Sequence, residues 1–297
     1  MKDNKKHKKA EYGILITGLI ILLAVACIIA LCAGQYSVSV PEVTKILASR
    51  FVNVTKTWSN TAEGVVFTLR LPRIIGAVLV GSALSLSGAA YQGVFKNPLV
   101  APDLLGVSSG ACVGASVAIL LHLNSFGVQA MAFVAGILAV GLTLFIPRLI
   151  KNTNMTMLVL SGIIVKGIMD SVMGIIKYVA DPETELQSIT YWQLGSLTKV
   201  LPKDLFTVGP VIVAASVIIF LLRWRINILS LGDREAKTLG VSVTVVRNFI
   251  IICATLLTAS AVCISGTIGW IGLVIPHFAR MLTGPDNMKV DRKSTRL

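Results

Sequence analysis

Residues 69–114 read LRLPRIIGAVLVGSALSLSGAAYQGVFKNPLVAPDLLGVSSGACVG, and this stretch decides the fold. Two arginines flank a proline at its start, and a long apolar run rich in Gly, Ala and Ser follows. An NPLVAP break at residues 97–102 then precedes a second apolar run. Irregular backbone between membrane segments is tolerated only where protein or a water-filled cavity covers it. The stretch therefore predicts two close-packed membrane helices joined by an irregular segment that is covered by protein or by a water-filled cavity.

The composition of the whole chain is that of a membrane protein. Of its 297 residues, 55% are hydrophobic and 14% are charged, whereas a typical soluble domain has about 25% charged residues. The net charge of +13 does not indicate a nucleic-acid partner, because five lysines lie in the first nine residues and others lie in short loops beside apolar runs. Such a distribution is typical of the cytoplasmic loops of a multi-pass membrane protein.

The apolar runs predict an all-α, polytopic integral membrane protein with about seven to eight membrane segments. Residues 1–12 form a basic, cytoplasmic N-terminus, and the run at 13–34 is long enough to span rather than to be a cleaved signal peptide. Later spans are predicted at residues 65 or 70 to 95, 104–121, 128–149, 155–179, 205–222 and 248–265, with a broken segment at 266–282. Short helices are predicted near 41–51 and 186–197, in polar loops placed outside.

Two breaks in these segments have related sequences. The small-residue helix before NPLVAP has a partner in SAVCISGTIGWIGLVIPH, residues 260–277, which would run in the opposite direction. Inverted repeats of this kind place a transport pathway at their interface. The residues expected to pack or break these helices are Asn97, Pro98, Gly106, Gly110, Gly114, Pro276 and His277.

The segment Gly106 to Gly110 also matches the G-x-S-x-G pattern of serine hydrolases. That pattern needs a strand–turn–helix context and a histidine partner, and here it opens a membrane helix in a chain with three histidines. Close helix packing is the better interpretation of these glycines.

Lys166 and Asp170 lie one helical turn apart near the middle of the fifth predicted span. A charge inside a membrane is costly unless it faces a cavity or a partner. Two interpretations remain open, an ion pair within the helix and a position on the lining of a translocation pathway.

The connector LGDREAKTLG, residues 231–240, predicts a short amphipathic helix with an apolar edge at Ala236 and Leu239. Such an edge suits docking onto a cytoplasmic partner. The chain has no G-x-x-x-x-G-K-[ST] motif, so ATP-derived energy has to come from another polypeptide. The five cysteines lack CxxC spacing, and we expect neither a metal site nor a cofactor.

These motifs together resemble the permease subunits of ABC importers for iron-siderophores, haem and cobalamin, the FecCD-type family. The resemblance rests on residues 69–73, on 92–106 with Asn97-Pro98-Leu99, on 231–240 and on 266–280. It implies a fold of ten transmembrane helices with inverted repeats in the bacterial cytoplasmic (inner) membrane. The implied partners are a cytoplasmic ABC ATPase dimer, an extracytoplasmic substrate-binding protein, and a second permease copy as a homodimer or a paralogous permease.

The resemblance also implies roles for particular residues. Arg70 and Arg73 correspond to outer arginines that receive carboxylates of the binding protein, and the fifth span corresponds to the helix that lines the pathway. Lys166 and Asp170 are not part of the family pattern. The coupling helix that contacts the ATPase would comprise Gly232, Asp233, Arg234, Glu235, Ala236, Leu239 and Gly240.

The resemblance fades after residue 284. Residues 13–284 are therefore expected to be an incomplete permease domain, and 285–297 a polar tail without a family match, as in a truncated or mis-joined reading frame. An iron-siderophore is the expected cargo, with haem and cobalamin as alternatives. A secondary transporter driven by an ion gradient is the alternative mechanism.

Overall fold

Helices form all the regular structure in residues 2–152 and 154–283, which are the residues that the computed structural model describes. The predicted polar tail at 285–297 lies outside them. The helices are α1 (Lys2–Cys32), α2 (Val40–Ala48), α3 (Asn60–Gly64), α4 (Leu71–Phe95), α5 (Val107–Leu120), α6 (Ser125–Leu149), α7 (Met155–Val179), α8 (Glu185–Leu194), α9 (Pro202–Leu231), α10 (Asp233–Thr238), α11 (Val243–Ser265) and α12 (Ile271–Thr283). A π-helical segment, Val65–Arg70, joins α3 to α4, and a 3-10 turn, Pro102–Leu105, precedes α5.

The number of membrane segments agrees with the prediction. Within the described residues, six helical segments are long and apolar enough to cross a membrane, and Val107–Leu120 and Ile271–Leu282 are shorter apolar helices. An α-helix rises about 1.5 Å per residue, so these two short helices cover only about 20 Å of a hydrocarbon core about 30 Å thick. These observations confirm the all-α, polytopic fold and add that two of its segments are helices too short to cross the hydrocarbon core alone.

The chain divides into two compact units. The first contains the described residues up to Val78 together with Val200–Leu205. Its core joins the end of α1 to α2 and α3 through Leu31, Ile46 and Ala62, among others. The hydroxyl of Ser59 accepts the backbone N–H of Ala62 at 3.0 Å and so caps the start of α3.

The second unit contains Leu79–Lys199 and the described residues from Phe206 onward, and it is built around α11. In α11, 78% of the most apolar 18-residue stretch is buried. The corresponding share is 28% to 44% in the other long spans after α1. Its polar side chains bond to α4: Ser87 contacts Thr258 at 2.7 Å, and Tyr91 contacts Thr255 at 3.0 Å, both between hydroxyl oxygens. Interhelical hydrogen bonds of this kind hold helices together where water is absent.

Three predicted boundaries were wrong. The third span is not one helix over 104–121, because the left-handed Gly106 (φ 80°) separates the 3-10 turn from α5. The sixth span does not end at Leu222 but continues to Leu231. Arg223 does not stop that helix, since its guanidinium lies 4.2 Å from the centre of the Phe220 ring. The seventh span starts at Val243, five residues earlier than predicted.

Candidate functional site

A cavity of about 270 Å³ lies in the second unit, where the 3-10 turn, α5, α7 and the α11–α12 connection meet. Its lining includes three charged side chains, those of Asp103, Lys166 and Asp170. Hydroxyl and amide groups of Ser108, Ser109, Gln193, Thr258 and Thr267 complete its polar wall. The two residues predicted to line a pathway therefore share a polar cavity within the membrane-spanning region.

The ion partner of Lys166 is Asp103 rather than Asp170. The ammonium of Lys166 lies 3.0 Å from Oδ2 of Asp103, so the ion pair within one helix, which was one of the two open interpretations, is not formed. The other oxygen of Asp103 accepts the backbone N–H of Ser108 at 3.2 Å. Asp103 thus caps the first turn of α5 and also ties that turn to α7.

The local sequence explains how Asp103 reaches this place. Pro102 starts the 3-10 turn in its first position, where its missing N–H is not needed. Gly106 ends the turn with φ 80°, a conformation that glycine adopts at little cost. The new helix can therefore start at Val107, directly after the turn that carries the carboxylate.

The two predicted breaks meet in space. An ideal Cβ on Gly272 would lie 2.5 Å from Cγ of Pro102, and an ideal Cβ on Gly88 would lie 1.8 Å from the carbonyl oxygen of Gly272. The backbones of α4 and of the start of α12 thus approach more closely than any side chain would allow. The chain also turns just before Pro102, where Oδ1 of Asn97 accepts the backbone N–H of Leu99 at 2.9 Å.

The remaining packing residues fall into different environments. Gly110 and Gly114 face α6, since an ideal Cβ on Gly114 would lie 2.3 Å from the carbonyl oxygen of Met131. Gly106 precedes α5 and does not share this face. Pro276 is buried inside α12, whereas His277 is exposed.

The two candidate docking arginines also differ. Nη1 of Arg70 donates to the carbonyl oxygens of Leu31, at 2.6 Å, and of Cys32, at 3.2 Å, and Nη2 donates to that of Tyr36. Arg70 therefore supplies donors and a positive charge to the C-terminal carbonyls of α1. Arg73 is half-buried and makes no hydrogen bond or ion pair within the described part of the chain.

The predicted coupling segment is a short, well-defined helix. Gly232 (φ 149°) precedes α10 and Gly240 (φ 75°) follows it. Of the predicted apolar edge, Ala236 is fully buried and only Leu239 is exposed. Ala236 therefore packs inside the protein, and Leu239 lies on the exposed surface of α10. Arg234, Glu235 and Lys237 are exposed as well.

Asp233 at the start of α10 is held by two basic residues. Both of its oxygens lie 2.8 Å from Nη2 of Arg247, and Nζ of Lys96 lies 3.0 Å from Oδ1. Partial burial raises the pKa of Asp233, but the hydrogen bonds from Arg247 and Lys96 lower it more, so this pKa lies below its ordinary value.

Sequence reasoning missed Asp103, Lys96 and Arg247. Asp103 stands just before the predicted third span, and its charge beside a membrane segment was the signal that could have identified it. Arg247 lies just before the predicted seventh span, as an ordinary loop residue would, but in the structure it is a buried charge in α11 and requires a partner. Within the described residues, no three His, Cys, Asp or Glu side chains are grouped so as to hold a metal ion.

Comparison with known proteins gives a consistent set of similarities. Residues 22–290 match the profile of the FecCD transport family. The chain is 36% identical to the molybdate import system permease protein MolB of Haemophilus influenzae over 94% of its own length and 82% of the relative's. It is 41% identical to a probable iron chelatin transport system permease protein of Helicobacter pylori, over 76% and 68% of the two lengths. A solved inward-facing metal-chelate type ABC transporter superposes with a TM-score of 0.83 at 33% identity, covering 95% of this chain and 85% of the other.

Proposed function

Because the chain belongs to the FecCD transport family and is an ABC importer permease, we propose that it carries an iron-siderophore-like chelate across the cytoplasmic membrane. In this proposal a separate ATPase dimer binds the inner face and hydrolyses ATP. An extracytoplasmic binding protein delivers the cargo to the outer face. The observation that carries the proposal is the charged cavity formed by Asp103, Lys166 and Asp170 between membrane-spanning helices.

Charged side chains on membrane helices face a cavity or a partner, because exposing them to lipid is costly. A charged side chain at the centre of a membrane helix costs about 2.5–3.5 kcal/mol on insertion scales. Asp103 offsets part of this cost for Lys166, but the Lys166 side chain remains 46% exposed and Asp170 is exposed as well. An aqueous pathway at this face of α7 accounts for both exposed charges.

A stripe of α7 beside these charges supports a second permease copy as a partner. No heavy atom lies within 4 Å of an ideal Cβ on Gly167 or Gly174, and Ser171 between them is exposed. Small and polar residues on one stripe of a membrane helix suit close approach of another protein better than contact with lipid. A second copy, or a paralogous permease, would enclose the pathway with its own α7.

The cargo is the finer part of the proposal. Named relatives handle molybdate and iron chelatin, which differ greatly in size. In a two-copy complex, each copy would contribute a cavity of about 270 Å³ to a larger shared space. That space suits a bulky chelate better than a bare oxyanion. Haem and cobalamin are alternatives of similar bulk.

The proposal is tested by uptake into proteoliposomes that contain this chain with its ATPase subunit. The panel of cargos is a ⁵⁵Fe-labelled hydroxamate chelate, a ⁵⁵Fe-labelled catecholate chelate, haemin, cobalamin and ⁹⁹Mo-molybdate, each offered on its binding protein. We expect ATP-dependent accumulation of a ferric chelate that is insensitive to protonophores. Uptake driven by an ion gradient without ATP would refute the ABC mechanism, and uptake of molybdate alone would refute the cargo.

A further inference from the structure

Asp233 links three helices at one point. It is the first residue of α10, Arg247 lies in α11, and Lys96 is the first residue after α4. The Arg247 and Lys96 nitrogens lie 2.8 Å and 3.0 Å from the Asp233 carboxylate oxygens. The acidic residue of the predicted coupling segment is therefore engaged with its own chain.

The two links have different physical characters. The Arg247 side chain is 8% exposed, whereas those of Lys96 and Asp233 are 35% and 48% exposed. Removing the carboxylate would leave a buried guanidinium without its ion partner, so the Arg247 link anchors α10 on α11. The Lys96 link is an exposed ion pair, which adds little to folding stability.

The C-terminus of α10 is capped by its own backbone. Its C-terminus closes with two 3.0 Å hydrogen bonds, from Val241 N–H to the Ala236 carbonyl and from Gly240 N–H to the Lys237 carbonyl. This pair of bonds around a left-handed glycine is a Schellman motif. These bonds satisfy the last carbonyl groups of α10 and oppose fraying of its C-terminus.

Lys96 connects this point to the break in the chain. Its backbone has φ 54° and it directly precedes the Asn97 turn. Six residues later Pro102 packs on Gly272, and the next residue, Asp103, pairs with Lys166 in the cavity. A short, constrained path thus runs from α10 to the charged cavity.

We infer that Asp233 is a positioning residue that transmits movement of α10 to residues 97–102 through Lys96, while Arg247 holds it on α11. This inference rests on the proposed function, because the movement of α10 comes from the ATPase. Asp233 would then serve as an internal relay, and the contact with the ATPase would fall to its exposed neighbours on α10.

The test measures movement at the break directly. The half-exposed Cys27 and Cys32 are replaced by Ala, and the buried Cys112, Cys253 and Cys263 are retained. Leu99, which is 73% exposed, is replaced by Cys as the labelling site. The rate of labelling by a maleimide-PEG is compared in the complex with its ATPase, without nucleotide and after trapping with ATP and vanadate. In this parent protein we expect trapping to change the rate several-fold.

Lys96→Gln removes the link to α4 and leaves the Arg247 anchor in place, and Lys96→Arg retains the charge. We expect Lys96→Gln to abolish the rate change on trapping and Lys96→Arg to preserve it, with ATP hydrolysis and assembly unchanged in both. The matched control is Lys56→Gln, which breaks another exposed ion pair, Lys56–Glu63 at 2.7 Å, and should leave the rate change intact.

The outcomes distinguish a failure of the proposed function from a failure of the relay through Lys96. No rate change in the parent protein, or no association with an ATPase, would contradict the proposed function itself. A normal change in the parent that persists in Lys96→Gln would overturn the relay. Loss of complex assembly in Lys96→Gln but not in Lys56→Gln would also overturn it, because Lys96 would then be structural.

Discussion

Lys166 and Asp103 form an ion pair between segments that lie in the membrane, so removing one partner differs from removing both. Lys166→Gln leaves the Asp103 carboxylate without its ion partner, although Ser108 N–H still donates to it. We expect a loss of stability of roughly 1 kcal/mol, the scale of interhelical polar contacts in membranes, and a several-fold loss of uptake. In Asp103→Asn/Lys166→Gln, stability should return while uptake stays low. Thermal unfolding in detergent and ATP-driven uptake are the two measurements. If uptake recovered together with stability in the double variant, the Asp103–Lys166 pair would serve only to hold the helices together and would have no role in the pathway.

Arg70 and Arg73 are three residues apart, but we expect replacement of Arg70 to affect stability and replacement of Arg73 to affect association with a partner. Arg70→Gln removes donors from the carbonyls at the end of α1, and a hydrogen bond involving a charged group contributes about 1.5–3 kcal/mol. Its unfolding midpoint should therefore fall. Arg73→Gln should leave the midpoint unchanged. If Arg73 receives carboxylates of the extracytoplasmic binding protein in bidentate contacts, the substitution should weaken that association several-fold. Interferometry with the immobilised permease measures the association, and equal loss of stability in both variants would contradict this division.

Single-residue roles were only partly predictable from the sequence. The positions of Lys166 and Asp170 in the middle of an apolar run were sufficient to suggest a cavity. The partner of Lys166 lies 63 residues away, and no local spacing encodes a contact of that separation. Arg70 and Arg73 looked equivalent, because the sequence did not reveal that the end of α1 lies within reach of one of them.

Among the helices, α4 and the start of α12 pack through an unusually close backbone contact. In the interior of an exposed helix, Gly→Ala stabilises by about 1 kcal/mol. At Gly88 the added methyl would lie 1.8 Å from the Gly272 carbonyl oxygen, and overpacking of this kind costs about 1–3 kcal/mol or more. We therefore expect Gly88→Ala to lower the unfolding midpoint and to reduce uptake.

Gly81→Ala is the matched control, since Gly81 lies on the same helix with no heavy atom within 4 Å of an ideal Cβ. Its unfolding midpoint should be unchanged or slightly higher. If Gly81→Ala and Gly88→Ala have the same midpoint, the close contact between α4 and α12 is absent from the protein in the membrane.

Elements were predicted well where apolar length alone determines them. The fifth span was predicted at 155–179, and α7 covers Met155–Val179. The prediction failed where polar groups modify a helix internally. The sixth span was predicted to end at residue 222, but α9 continues to Leu231, and the guanidinium of Arg223 stacks on Phe220. The third span was divided because Gly106 adopts a left-handed conformation, which the sequence permits without requiring.

For the whole molecule, the membrane topology depends on whether α5, which has only 14 residues, takes part in a full crossing of the membrane. Between residue 51 and residue 239 the chain passes through α4, α5, α6, α7 and α9. If the 3-10 turn and α5 together complete a crossing, five crossings separate the two positions and place them on opposite sides. If α5 instead returns to the side from which it came, four crossings place them on the same side.

The basic residues favour five crossings, because Lys-rich residues 1–12 and the inner loops then share the cytoplasmic side. We therefore expect Phe51→Cys, at a position 90% exposed, to react with a membrane-impermeant maleimide in intact cells. Leu239→Cys, at a position 57% exposed, should react only after permeabilisation. Both are made with Cys27 and Cys32 replaced, and the unmodified background controls for labelling elsewhere. Reaction of both positions in intact cells would mean that α5 does not cross the membrane, and the α10 surface would then be separated from any cytoplasmic ATPase.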